Sequence, residues 1–191
     1  MLTFTEKDHS YKLDGLKLVS VTQVLKEAGL SDFSKVNPEL LERAANFGTA
    51  VHKAIQLSVK GTLDMESLDT SLLPYLDQWR AFCEDFRYSP KEMEYQVFNK
   101  ALGVAGAIDH LGYIKQESTL VDIKTGHLKG ADLVQACAYA YLYPVGRVLI
   151  LYLTDNTYKV NEIKRQDRKR YESIFLAALS IYNFRKQEKM L

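Results

Sequence analysis

Residues 106–126, GAIDHLGYIKQESTLVDIKTG, decide how the rest of the chain is read. GAIDHLGYI and TLVDIK have the make-up of two short strands. Between them Lys115, Gln116, Glu117 and Ser118 are the only polar run long enough to turn the chain. With Lys115-Gln116 as a two-residue loop, the pairing centre falls midway between Asp109 and Asp122, and the two carboxylates sit directly opposite. A loop one residue longer or shorter makes them diagonal neighbours, still within reach across a sheet. Lys124 follows Asp122 by two residues and shares its face, whereas Val121 and Ile123 point the other way. The expectation is a hairpin with two acids and a lysine on one side and an apolar reverse.

Asp122 is the most informative of the three. It interrupts Leu120-Val121-x-Ile123, a strand otherwise fit for burial, and a buried carboxylate is costly without a partner or a metal. Two adjacent carboxylates raise each other's pKa unless a cation relieves them. Oxygen ligands with positions left for water and phosphate suit Mg²⁺ or Mn²⁺. Lys124 is either the ion-pair partner of Asp122 or the group that orients an attacking water and screens charge on a phosphate oxygen. Glu94 lies one strand earlier, on a face shared with Glu92 and Gln96. It belongs either to a solvated polar face or to the ligand set.

Outward from the hairpin, residues 2–19 read as strand or hairpin material with Asp14-Gly15 as the turn. Ser20 and Gln23 have capping-box spacing and start a short helix that ends at Gly29. Residues 30–36 read as a loop. Asn37 caps a second helix with Pro38 at its first position. In that helix Leu40, Leu41, Ala44, Val51, Ala54, Ile55 and Val59 make a buried stripe. Gly48 costs about 1 kcal/mol there relative to alanine unless something approaches closely, and it shares a face with His52. Residues 71–86 repeat the helical period, Pro90 closes a loop, and strands follow at 92–99, 102–114 and 119–124. Residues 131–143 read as a helix, 148–154 as an inner strand paired through Asp155-Asn156 with 158–163, and about 166–187 as a final helix. The pattern describes an α/β (α+β) domain, residues 1–191, with a mixed central β-sheet, a three-stranded meander and flanking helices. It has an N-terminal helical segment at 20–60 and a basic C-terminal helix at 165–189.

Composition narrows the class. The 191 residues carry 47% hydrophobic and 26% charged side chains and a formal charge of +1, ordinary for a globule with a core. Two cysteines are too few for a disulfide framework or a four-thiolate metal site, and buried free thiols fit a reducing compartment. No apolar run approaches a membrane span, and the first residues lack the basic and apolar regions of a secretory signal, so a cytoplasmic location without membrane attachment is expected.

GTAVHKA (48–54), GAIDH (106–110), VDIKTG (121–126) and QACAY (135–139), in this order and spacing, resemble the PD-(D/E)XK nuclease superfamily. The branch they look most like is the RecB-like nucleases and the small phage and mitochondrial exonucleases. SVTQVL (20–25) and ERAANFGTAVH (42–52) resemble the same branch. The likeness implies a restriction-endonuclease-like core of a helix, a three-stranded meander, a helix and a further strand. It also implies a Mg²⁺- or Mn²⁺-dependent deoxyribonuclease, an exonuclease by branch, in a bacterial or phage-infected cell and serving DNA repair or recombination. By resemblance Asp109 and Asp122 are the first and second acids, Lys124 the lysine, and the Ile123 carbonyl a further metal ligand. His52 meets either the metal or the scissile phosphate. Glu94 is an auxiliary acid, and Gln135 and Tyr139 support the site and contact DNA. Two cysteines exclude the iron–sulfur subgroup, and no GxxxxGK[ST] loop marks a helicase fusion.

Residues 164–189 hold eight basic and three acidic side chains. The helix is either a solvated face or a backbone-binding patch in which Arg165, Arg168, Lys169 and Arg170 meet DNA, as a single- or double-stranded end. Tyr11, Phe33 and Phe47 are candidates to stack on unpaired bases. The competing expectations are a nucleic-acid-binding protein on the same fold, inactive or dependent on a partner, and a metal-dependent hydrolase of another substrate. A homo-oligomer or a recombination or replication partner is compatible with all of these.

Overall fold

Lys115 and Gln116 form the two-residue turn, both with positive φ (48° and 67°), as a type I′ hairpin requires. The strands they join, β5 (Val104–Ile114) and β6 (Glu117–Thr125), pair antiparallel from Ile114↔Glu117 to His110↔Val121. The ladder ends at that pair, one position short of Asp109 and Asp122. The structure, a computed structural model, describes residues 2–5, 10–31, 36–127 and 129–191. Phe33 and residues 32–35 of the expected loop lie outside the described residues.

In chain order the elements are β1 (Leu2–Thr5), β2 (Ser10–Leu13), β3 (Leu16–Ser20), α1 (Val21–Glu27), α2 (Pro38–Lys60), α3 (Leu73–Phe86), β4 (Tyr88–Asn99), β5, β6, α4 (Gly130–Leu142), β7 (Arg147–Leu153), β8 (Tyr158–Glu162) and α5 (Arg165–Gln187). The local signals act as their chemistry dictates. Asp14-Gly15 turns β2 into β3 with φ 49° and 85°. Ser20 Oγ accepts from the Gln23 amide at 3.0 Å, and Asn37 Oδ1 accepts from Glu39 at 2.8 Å with Pro38 behind it. One boundary differs from expectation. β4 starts at Tyr88 and runs through Pro90, with a register shift between Pro90 and Glu92. Its only partner among the described residues is β5, and an edge strand tolerates proline's missing donor.

All eight strands belong to one mixed sheet among the described residues, in the order β1-β2-β3-β5-β6-β7-β8 with β4 on β5. Two pairings are parallel, β3 with β5 and β6 with β7; the others are antiparallel. Helices cover both faces. α1, α4 and α5 pack with Leu120, Val148 and Ile150 on one side, while α2 and α3 pack with Val121, Ile123, Leu149 and Leu151 on the other. The order α2, meander β4–β6, α4, β7 is the core that the motif resemblance implies.

The sheet is forked at β5. β4 occupies one edge of β5 along its length. The other edge is shared, with β3 at Val104–Ala105 and β6 from His110 onward. Between Ala105 and His110 that edge has no strand partner among the described residues, and the candidate site is built at this gap.

Candidate active site

Asp109 stands where β5 and β6 part. Its Oδ2 accepts the Ile123 amide at 2.7 Å, so the side chain replaces the backbone bond the diverging strands no longer make. Its other oxygen lies 3.7 Å from His52 Nδ1. His52, on α2, donates from Nε2 to the Ile123 carbonyl at 3.1 Å; a carbonyl can only accept, so this contact fixes the proton on Nε2 and turns Nδ1 toward Asp109. Gly48, one turn earlier, permits the approach of α2 to β6. A Cβ there would lie 3.2 Å from Thr125 Oγ1.

Glu94 completes the cluster from β4. Ligand atoms of His52, Glu94 and Asp109 all lie within 4.8 Å of one another, a spacing suited to one cation. Glu94 has φ 51°, an unusual conformation for this residue type. Its neighbours Met93 and Tyr95 pair with His110 and Ile108, so Glu94 and Asp109 are set face to face by the register. Although the residue is exposed as a whole, loss of hydration and the charge of Asp109 push its carboxyl up to about 7, with Lys53 pulling the other way. Two carboxylates converge there, and the charge of Lys53 offsets their repulsion only in part.

Asp122 and Lys124 share a face, as the two-residue spacing requires, and their charged groups meet at 2.7 Å. Asp122 is 1% exposed, and its Oδ1 has no hydrogen-bond donor among the described residues. Burial holds its carboxyl above the usual carboxylate range despite the ammonium beside it. For Lys124, a quarter exposed, burial opposes the charge, but Asp122 and Asp109 outweigh it and hold the ammonium above the usual lysine range. Asp122 is therefore turned toward Lys124 and stands outside the His52–Glu94–Asp109 group. Next to Asp109, His110 is buried with its ring 4.5 Å from that of Trp79; burial pushes its pKa down to about 4 and makes it a neutral core residue.

Gln135 and Tyr139 are joined by a 3.1 Å hydrogen bond from the amide nitrogen to the phenol oxygen. The Tyr139 ring is buried against Gly106, where a Cβ would come within 2.6 Å of its Cε1. Burial raises the Tyr139 pKa well above the usual tyrosine value, with Gln135 opposing and Asp122 and Asp109 adding to the rise. The pair thus backs the fork from the α4 side.

The basic start of α5 does not face this site. Arg168 is buried and donates to the carbonyls of Ile163, Val145 and Gly146 at 3.2, 3.1 and 2.8 Å. Its guanidinium is held by the loop before β7 and by the residue that follows β8, so the DNA contact expected of it would compete with three intramolecular hydrogen bonds. Arg165 pairs with Glu117 at 3.0 Å, beside the hairpin turn. Glu117 and Asp122 are on one strand five residues apart, so this end of α5 is roughly 16 Å from the carboxylates. Lys169 and Arg170 are exposed in the same part of the helix. Phe47 is likewise engaged elsewhere, edge-to-face with Tyr75 at 5.1 Å between α2 and α3. Arg168 could have been recognised from spacing alone, since it continues the buried stripe of Phe175, Ala178, Leu179 and Tyr182.

A cleft of about 690 Å³ opens from the cluster. Thr49, His52, Lys53, Gln56 and Lys60 of α2 form one wall, Phe4 and Tyr11 of the N-terminal strands the other, with Glu94 and Ala107 between.

No protein-family model matches the chain, and no curated protein does. Among solved structures, an alkaline exonuclease from Laribacter hongkongensis is similar over 91% of this chain and 95% of that one, at 16% identity and TM-score 0.45. The structure of SSO0001 is similar over 68% of this chain and 73% of that one, at 14% identity and TM-score 0.34.

Proposed function

We propose that this chain, read as one nuclease domain over residues 1–191, is a metal-dependent deoxyribonuclease of the PD-(D/E)XK type acting as an exonuclease. The observation that carries the reading is the meeting of His52, Glu94 and Asp109 within 4.8 Å beside the buried Asp122–Lys124 pair. The donor set fits a hard divalent cation: carboxylate oxygens, a backbone carbonyl, one imidazole, and a buried Asp122 oxygen that has no donor among the described residues. Asp109, Asp122 and Glu94, with His52 and the Ile123 carbonyl, are the residues to hold Mg²⁺ or Mn²⁺. Such an ion supplies charge neutralisation at a phosphate and activation of water at neutral pH.

The chain's own groups divide the remaining work. Lys124 keeps its proton under the field of two carboxylates, and its ammonium can orient an attacking water by a hydrogen bond or screen charge developing on a phosphate oxygen. His52 is held by the Ile123 carbonyl so that its Nδ1 faces Asp109. Gln135 and Tyr139 fix the floor against Gly106 and can extend a donor toward the DNA backbone.

Purified protein incubated with single- and double-stranded oligonucleotides in Mg²⁺ or Mn²⁺ tests the reading. Cleavage is expected to need the metal and to fall at least 100-fold in Lys124→Ala. Absence of metal-dependent cleavage would leave a nucleic-acid-binding protein on the same fold. End-blocked substrates separate exonuclease from endonuclease action.

A further inference from the structure

We infer that Tyr152, tethered by Asp132, is the positioning residue for Lys124, its ring forming the wall that keeps the lysine stem from swinging away from Asp122 and the fork. The inference rests on the nuclease reading for what Lys124 acts upon. Its geometry, however, is independent of catalysis.

A lysine ammonium rides on a flexible stem, so an ion pair at its tip does not by itself hold it in one place. In an inner strand, neighbours on both edges confine such a stem. Lys124 is confined on one edge. The β5–β6 ladder ends at His110↔Val121, so beside Lys124 the β5 side of β6 has no strand neighbour among the described residues. On its other edge β6 pairs in parallel with β7, where Asp122 is matched with Ile150 and Lys124 with Tyr152. Matched side chains on adjacent strands share a face and stand about 5 Å apart, within reach of an aromatic ring. Tyr152 therefore flanks Lys124 on the side away from the fork.

Tyr152 is itself held. It is 5% exposed and belongs to the core on the α4 side of the sheet. Its hydroxyl donates to Asp132 Oδ2 at 3.2 Å, and the same oxygen accepts the Lys129 amide at 2.9 Å at the start of α4. The ring is thus fixed at both ends, by β7 and by α4. Lys124, a quarter exposed, is fixed at its tip by Asp122 at 2.7 Å. A rigid wall on one side and the fork on the other leave the ammonium one direction in which to work.

Side-chain ¹⁵N relaxation of the lysine ammonium groups in EDTA reads the wall without turnover, the Lys124 signal being assigned by its loss in Lys124→Ala. Tyr152→Val keeps a β-branched strand residue and removes the ring, and it should make the Lys124 ammonium more mobile. Tyr152→Leu repeats the test with a smaller cavity and should act in the same direction. In Mg²⁺ with a DNA oligonucleotide, Tyr152→Val should lose about 10- to 100-fold in kcat with KM within about twofold. Tyr152→Phe keeps the ring and loses only the tether, so it should hold kcat within about threefold of the unaltered protein. Leu179→Ala opens a cavity on α5 and should lower Tm while leaving Lys124 mobility and kcat unchanged, which separates positioning from a loss of stability. An unmoved Lys124 ammonium in the valine and leucine variants, a loss that falls on KM, a loss in Tyr152→Phe as large as in Tyr152→Val, or the same changes in Leu179→Ala would overturn the inference. A loosened ammonium in a protein without metal-dependent cleavage would uphold the positioning role and remove the nuclease reading; cleavage with an unmoved ammonium would do the reverse.

Discussion

Asp122 and Lys124 differ in what each leaves behind when its partner is removed. Without Lys124, the Asp122 carboxylate is 1% exposed and cannot reach water. Without Asp122, the Lys124 ammonium, already a quarter exposed, can turn outward along its flexible stem. Lys124→Ala is therefore expected to cost about 3 kcal/mol in urea unfolding with EDTA present, and Asp122→Asn less than half of that. Equal losses would show the pair to be better hydrated than its burial indicates. Gly106 is a second point of residue-scale strictness. Gly106→Ala forces the Tyr139 ring aside from a 2.6 Å approach, with an expected loss of about 2 kcal/mol measured the same way. Asp109, Asp122 and Lys124 were legible from the sequence because a hairpin's arithmetic fixes what lies opposite and what shares a face. For Glu94 the sequence leaves a choice between a solvated polar face and the ligand set. The choice depends on the register of β4 on β5, the shift beyond Pro90 and a positive φ, none of which periodicity encodes.

The β5–β6 hairpin is held by a turn whose two residues are both L-amino acids in the left-handed region. Replacing Lys115-Gln116 with Asn-Gly keeps the geometry and removes the strain. This should raise stability by about 1 kcal/mol and Tm by about 2–4 °C in thermal unfolding. Because side chains alternate, one residue added to each arm would keep the two acids opposite but turn both to the other face. The hairpin can thus lengthen without disturbing the site only by two residues per strand. α5 makes the contrasting case. Charge counting treated its basic residues alike, yet Arg168 lies on the buried stripe and holds three carbonyls. Arg168→Met is expected to lower unfolding stability by about 3 kcal/mol while leaving the salt dependence of DNA binding unchanged. A flattened salt slope in this variant would return Arg168 to the DNA interface.

Across the whole molecule the mixed sheet sorts its strands by protection. β6 and β7 have partners on both edges and helices on both faces. Amide hydrogen exchange should be slowest there and faster in the edge strands β4 and β8, and in β1. No helix among the described residues is long and apolar enough to cross a membrane. The layer arrangement was legible because each helix and strand carries its own period, and the meander's short turns leave few ways to connect it. The fork was not. It arises from β3 returning, parallel, to an edge of β5 that β6 has already partly taken, and no local pattern announces a pairing between segments so distant. That distance bears on the order of assembly. The β4–β6 meander closes short loops and can form early, whereas β3 reaches β5 only after α1, α2 and α3 are accommodated between them. A chain caught part-way through folding would have its carboxylates in position and still lack the N-terminal wall of the cleft.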